Sequence, residues 1–216
     1  MFRYVIENLK DWLNSESRKP LVLRGARQVG KTWSVRTLAN IAKKNLVEIN
    51  FERRPEFIAH FESNDPAEII LNLQSALNQS IVPEETILFL DEIQAAPELL
   101  AKLRWFYEEM PTLAVVAAGS LLEFVLEAHT FSMPVGRIQY AFVEPLGFDE
   151  FLFAIGEKVF QSAIETASLS APLNAALHDK ANALFKLYMT VGGMPEAVSS
   201  WIETGSLEAL SQVHHN

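Results

Sequence analysis

The run Leu21–Thr32, LVLRGARQVGKT, constrains this chain more than any other. A short apolar stretch leads into Gly25, and Gly30, Lys31 and Thr32 complete the spacing G-x-x-x-x-G-K-[ST] of a phosphate-binding loop. The spacing has a chemical reason. A loop wound tightly round phosphates turns successive backbone N–H groups inward, so the backbone of Ala26, Arg27, Gln28 and Val29 is expected to line the cradle. Gly25 and Gly30 permit conformations and close approaches that a Cβ hinders. Lys31 can reach the β- and γ-phosphates, and Thr32 can place its hydroxyl on Mg²⁺. A helix starting near Gly30 adds its positive end. Trp33 follows directly; it either approaches a nucleotide base or packs on the sheet, and its large apolar area favours packing.

With 216 residues, the chain has room for one sizeable core, or a main domain with a small one. Hydrophobic residues make up 49%, a globular rather than a disordered composition. The formal net charge of -9 gives no global attraction to nucleic acid or to an anionic membrane. There is no cysteine, so disulfides and thiolate metal sites are excluded. MFRYVIENLKDWL at the start lacks the apolar core of a signal peptide. No run reaches the roughly 18 apolar residues of a membrane span. The expectation is a cytoplasmic protein without a membrane partner.

Apolar periodicity predicts a helix over Phe2–Leu13, then a polar linker to Pro20 and a first strand at Leu21–Arg24. A helix over Lys31–Lys43 and a strand over Leu46–Phe51 follow, then an exposed charged connection at Glu52, Arg53 and Arg54. Phe57–Phe61 and Pro66–Ser80 read as helical, with Asp65 capping the second. Ile87–Leu90 is apolar throughout, as suits a central parallel strand covered on both faces.

Asp91 and Glu92 stand at the end of that strand. Open parallel sheets bind ligands beyond the carboxyl ends of their strands. Asp91 is therefore placed to hold Mg²⁺, and Glu92 to orient or deprotonate an attacking water. After a helix over Pro97–Glu109, the strand Leu113–Ala118 ends at Gly119 and Ser120. Ser120 can hydrogen-bond a γ-phosphate or the attacking water, or cap a helix to His129 with Glu123 completing a capping box. Phe131–Gly136 reads as a turn, and Arg137 precedes a fifth strand at Ile138–Val143. Arg137 is either a surface residue or one that reaches a transferred phosphate, its own or a neighbouring subunit's.

Pro145 and Gly147 mark a boundary, which divides the chain into an N-terminal helix and linker (1–19), a nucleotide-binding core (20–146) and a helical segment (147–216). In the last, helices are expected at Phe148–Ile155, Ser162–Ser170, Asn174–Met189 and Pro195–Trp201, and after Gly205. None of the five histidines has a partner at metal-ligand spacing.

The set GARQVGKT, LDEIQ, GSLLE, VGR and EPLGFDEF, at Gly25–Thr32, Leu90–Gln94, Gly119–Glu123, Val135–Arg137 and Glu144–Phe151, resembles a group of prokaryotic AAA+ family ATPases. Val135 stands where that group often has Gly or Pro. The resemblance implies an α/β fold, a P-loop NTPase three-layer sandwich. Its five-stranded parallel sheet would have the order 5-1-4-3-2, and a small helical lid would follow. It also implies ATP and Mg²⁺ as ligands, Ser120 as a sensor-one residue and Arg137 as an arginine finger. No arginine follows Asp149, so an intrinsic sensor-two arginine is absent. Many such relatives continue into a carboxyl-terminal region that can include a nuclease-like fold. The chain is expected to stop short of it, and nucleic acid would enter only through that region.

The leading expectation is ATP hydrolysis: Lys31 neutralises phosphate charge, Thr32 and Asp91 place Mg²⁺, and Glu92 prepares water. The alternative is a nucleotide-controlled binding module with little turnover, completed by a second copy or another protein; the missing sensor-two arginine motivates it. A small-molecule kinase is a third class, disfavoured by the carboxylate that follows Asp91.

Overall fold

The computed structural model describes residues 1–120, 122, 134 and 136–214. Apart from Ser120 and Leu122, the helix expected at 120–129 lies outside them, as do Glu123, His129 and Val135. The chain forms two compact units: Val5–Val143, and Met1–Tyr4 together with Glu144–Asn216.

The larger unit is built on five strands: β1 (Leu21–Arg24), β2 (Asn45–Asn50), β3 (Thr86–Asp91), β4 (Ala114–Ala118) and β5 (Gln139–Phe142). They pair in the order β2-β3-β4-β1-β5, and every pairing is parallel. This is the expected 5-1-4-3-2 order. β3 and β4 are buried along their whole length, which is why their sequences carry no polar alternation.

Strand alternation splits the sheet's side chains between two faces. Val22, Val47, Ile49, Leu88, Leu90, Val115 and Ala117 share one core with Ile69, Ile70 and Leu73 of α3 (Pro66–Leu77) and Leu99, Leu100, Leu103 and Phe106 of α4 (Leu99–Glu109). On β2, Glu48 alternates with Val47 and Ile49, and its carboxylate accepts two hydrogen bonds from Arg36 of α2 (Lys31–Ala42), at 2.6 and 2.8 Å. α2 therefore covers the opposite face. Helix, sheet and helix make the three-layer sandwich of a P-loop NTPase. α1 (Tyr4–Asn14) buries Val5, Ile6, Leu9, Trp12 and Leu13, and Trp12 Nε1 donates to the Lys19 carbonyl at 2.8 Å.

Local chemistry explains the ends of α3. Asp65 Oδ1 accepts the Ala67 N–H at 2.8 Å, Pro66 stands at the first helical position, and Asn78 closes α3 in a left-handed conformation. Pro55–Phe61 forms a 3₁₀ turn, tighter than the α-helix its apolar spacing suggests, with Phe57 and Phe61 buried.

The second unit holds the helices of the expected lid: α5 (Phe148–Ala154), α6 (Lys158–Thr166), α7 (Ala175–Val191), α8 (Pro195–Thr204) and α9 (Leu207–His214). α6 lies earlier than the expected 162–170. Ala167 is extended, and the Ser168 hydroxyl accepts the Ala171 N–H at 3.1 Å, so Ser168–Ala171 turns instead of continuing the helix. Leu146, Phe151, Val191, Ala197, Val198 and Leu210 form this unit's core. Among the described residues no helix is long and apolar enough to cross a membrane.

One carboxylate organises the start of this unit. Glu150, 6% exposed, accepts Arg3 Nε at 3.2 Å and the Tyr4 N–H at 2.7 Å on Oε1, and the Gly147 N–H at 3.2 Å on Oε2. Arg3, 4% exposed, also donates to the Glu144 carbonyl. Removing one member of a buried, hydrogen-bonded pair leaves the other charge uncompensated and costs about 3–5 kcal/mol. Arg3→Ala should lower stability by that order, read as a fall in the urea midpoint of the intact chain; a change below about 0.5 kcal/mol, the size of an ordinary surface substitution, would contradict this role.

Candidate functional site

Parallel pairing puts the carboxyl ends of β1, β3 and β4 side by side, with Leu23 opposite Ala118 and Leu90 opposite Ala117. The glycine-rich loop leaves β1 at that edge. Gly25 has φ +136°, and a Cβ there would lie 2.1 Å from the Val143 carbonyl oxygen. Both conditions admit only glycine. Gln28 and Gly30 also have positive φ, at 63° and 97°, giving the alternation of hands that turns N–H groups inward. Ala26, Arg27 and Gln28 are exposed, whereas Val29 is buried and anchors the loop's far side. α2 begins at Lys31 after Gly30, which has no side chain to cap it, so its first N–H groups receive no cap from that residue.

Lys31 is 9% exposed and its ammonium donates to the carbonyls of Gly25 and Ala26, at 2.9 and 2.7 Å. Burial pushes its pKa below the ordinary lysine value, against the opposing pull of Glu92 and Asp91. The cation thus lies folded over the loop's own backbone, within the curve where phosphates would compete for it.

Thr32, the second residue of α2, faces the end of β3. Its hydroxyl lies 3.3 Å from both carboxylate oxygens of Asp91. Asn50, the last residue of β2 and paired with Asp91 in register, donates Nδ2 to Oδ2 at 3.2 Å. Asp91 is 5% exposed, and burial, then the neighbouring Glu92 charge, raises its pKa above the usual carboxylate range. A hydroxyl and a desolvated carboxylate, both hard oxygen ligands, fit Mg²⁺, which takes one or two protein ligands and completes its shell with phosphate and water. Among the described residues no group of three or more His, Cys, Asp or Glu gathers in a way that could hold a metal ion by itself.

Glu92 follows with φ 50° and ψ 46°, a left-handed conformation that costs a non-glycine residue about 1–2 kcal/mol. Its Oε2 accepts Gln94 Nε2 at 2.6 Å. Ser120, 5% exposed, stands one residue beyond Gly119 at the exit of β4. Lys31, Thr32, Asp91, Glu92 and Ser120 therefore share one edge of the sheet.

Trp33 and Arg137 complete the set of expected site residues. Trp33 is 41% exposed, so it does not pack on the sheet. It lies two residues, about 200°, round α2 from the buried Val35. Arg137 precedes β5, whose Gln139 pairs with Leu21 at the start of β1. That is the amino edge of the sheet, about 13 Å or more from Gly25 at roughly 3.3 Å per strand residue. There Arg137 Nε donates to Glu108 at 2.9 Å, and Arg137 and Arg104 together hold that carboxyl below its usual range. Sequence reasoning missed Asn50 and Gln94. Extending the strand-end rule to β2 finds Asn50, but nothing in the sequence marks Gln94 as a neighbour of Glu92's side chain rather than of solvent.

The raised pKa of Asp91 has a consequence for stability. Below about pH 4, the ordinary carboxylate value, Asp91 is protonated in both folded and unfolded chains and costs nothing. As pH rises through its higher folded value, the carboxylate ionises in a desolvated place and stability falls. Asp91→Asn should raise the urea midpoint at pH 7–8, with the gain vanishing toward pH 4. A gain independent of pH would contradict the assignment.

No curated protein matches the chain. A solved structure of Drosophila ORC bound to DNA superposes with TM-score 0.52 at 15% identity, covering 98% of this chain and 60% of that one. The likeness is one of fold, and the chain spans about 60% of that protein's length. The family model of the AAA domain matches residues 17–152, well over half the chain. The chain belongs to the AAA domain family of ATP-binding proteins.

Proposed function

We propose that this chain binds ATP with Mg²⁺ at the Gly25–Thr32 loop and hydrolyses it. The observation that carries the reading is the meeting of the Thr32 hydroxyl with the buried Asp91 carboxylate beside that loop. The inward backbone N–H groups and the start of α2 hold the phosphates, and Lys31 exchanges two carbonyls for phosphate oxygens. Thr32 and Asp91 would hold Mg²⁺, which would supply positive charge to neutralise the phosphates. Glu92 orients a water and accepts its proton. Ser120 hydrogen-bonds the γ-phosphate or that water. Trp33, exposed at the start of α2, is available to a base.

Arg137 favours a refinement. It cannot serve its own loop from the opposite edge of the sheet, but it is 46% exposed there and can serve a second copy's nucleotide. Full turnover then belongs to an oligomer, and an isolated chain is a slower, nucleotide-controlled binding module. The net charge of -9 makes a protein a better partner than a nucleic-acid backbone.

Glu92→Gln should keep ATP affinity while lowering turnover by about 10²–10⁴-fold, as removal of a general base does. Phosphate release and equilibrium binding, measured on the same preparations, check this; unchanged turnover removes Glu92 from the role. Arg137→Ala should also lose turnover, and mixing it with Glu92→Gln should restore part of it, because each supplies what the other lacks. Failure of the mixture to recover while both variants oligomerise would place Arg137 outside the reaction.

A further inference from the structure

The LDEIQ run ends in Gln94, whose side chain the hydrolytic reading leaves unused. It stands in the 3₁₀ turn Ile93–Ala95 just after Glu92. Its Nε2 donates to Glu92 Oε2 at 2.6 Å and to Glu52 Oε1 at 3.0 Å, so both amide hydrogens go to carboxylates. Two acceptors fix the amide's orientation, since the flipped form would set Oε1 against both of them. That orientation has a cost. Gln94 Oε1 is buried and has no hydrogen-bond donor among the described residues. It lies against Gly119, where a Cβ would come within 2.4 Å of it. The glycine before Ser120 is therefore the residue that lets the amide reach across from the end of β3 to the exit of β4.

The Glu92 backbone is itself in an unfavourable left-handed conformation, next to a second carboxylate. The short charge-assisted bond from Gln94 holds the Glu92 side chain, and it occupies Oε2 while leaving Oε1 to accept a proton.

We propose that Gln94 is a positioning residue of the hydrolytic site: it holds the Glu92 carboxylate by donation from its side-chain amide, with Gly119 giving it room. The proposal rests on the hydrolytic reading above.

Its test compares Gln94→Ala and Gln94→Glu with wild type and Glu92→Gln, measuring kcat by phosphate release and Kd for ATP–Mg²⁺ by titration. Both Gln94 variants should lower kcat by about 10- to 100-fold, the scale on which small misplacements act, with Kd within twofold and the far-ultraviolet circular dichroism of wild type. Gln94→Glu keeps the shape but cannot donate while ionised, so it separates donation from packing. Wild-type kcat in Gln94→Ala or Gln94→Glu, beside an inactive Glu92→Gln, overturns this inference and leaves the hydrolytic reading standing. Wild-type turnover in Glu92→Gln overturns both. A readout independent of turnover is the side-chain amide proton resonance of Gln94. Its downfield proton should move upfield in Glu92→Ala, and an unchanged shift would show that the bond is absent in solution.

Discussion

The parallel pairing of β3 between β2 and β4, with β1 beside β4, is the constraint on which the site depends. It forces four carboxyl ends to one edge. A desolvated carboxylate at that edge, Asp91, then meets groups from two other elements: the Thr32 hydroxyl from α2 and the Asn50 amide from β2. Asp91 and Thr32 are marked by their motifs in the sequence, whereas Asn50 is not. Together they form a polar knot at the carboxyl end of β3, a strand buried along its whole length. The knot is costly to bury, since burial and the adjacent Glu92 disfavour the ionised form of Asp91. An added cation would relieve that cost, and this is the physical link between the fold and the proposed chemistry.

Much of this was legible in the chain. Gly25 and Gly30 announced the loop, and the apolar runs at Ile87–Leu90 and Leu113–Ala118 announced buried strands with their polar residues at the far ends. The strand order came through resemblance and matches the sheet. What was not legible depends on contacts between elements distant in sequence. Trp33 belongs to an apolar-looking helix, yet the buried side runs through Ser34, Val35, Leu38 and Ala39 and leaves it outside. Arg137 reads as near the site in one dimension because it neighbours a strand of the same sheet; the parallel direction of that strand puts it at the opposite edge. Gln94 and Glu52 meet through a 3₁₀ turn and a charged connection, and neither shows a periodicity that would betray the contact.

The second unit follows a different rule. Its entry is set by Glu150, a helix-start carboxylate that satisfies two backbone N–H groups and the Arg3 guanidinium at once. Such a group is hard to read from sequence, because glutamate in the first turn of a helix is ordinary on charge grounds alone. Its partner lies 147 residues away, at the very start of the numbering. The four residues Met1–Tyr4 thereby belong to the helical unit, while the rest of α1 belongs to the sheet.

The central claim is that the Gly25–Thr32 loop and Asp91 form one Mg²⁺-dependent nucleotide site. Calorimetric titration of ATP into the chain, with and without Mg²⁺ and with Lys31→Ala as the comparison, tests it most directly. The expected result is one site per chain that weakens when Mg²⁺ is withheld and is lost in Lys31→Ala. Absence of binding by the wild-type chain, or equal affinity in Lys31→Ala, would contradict it.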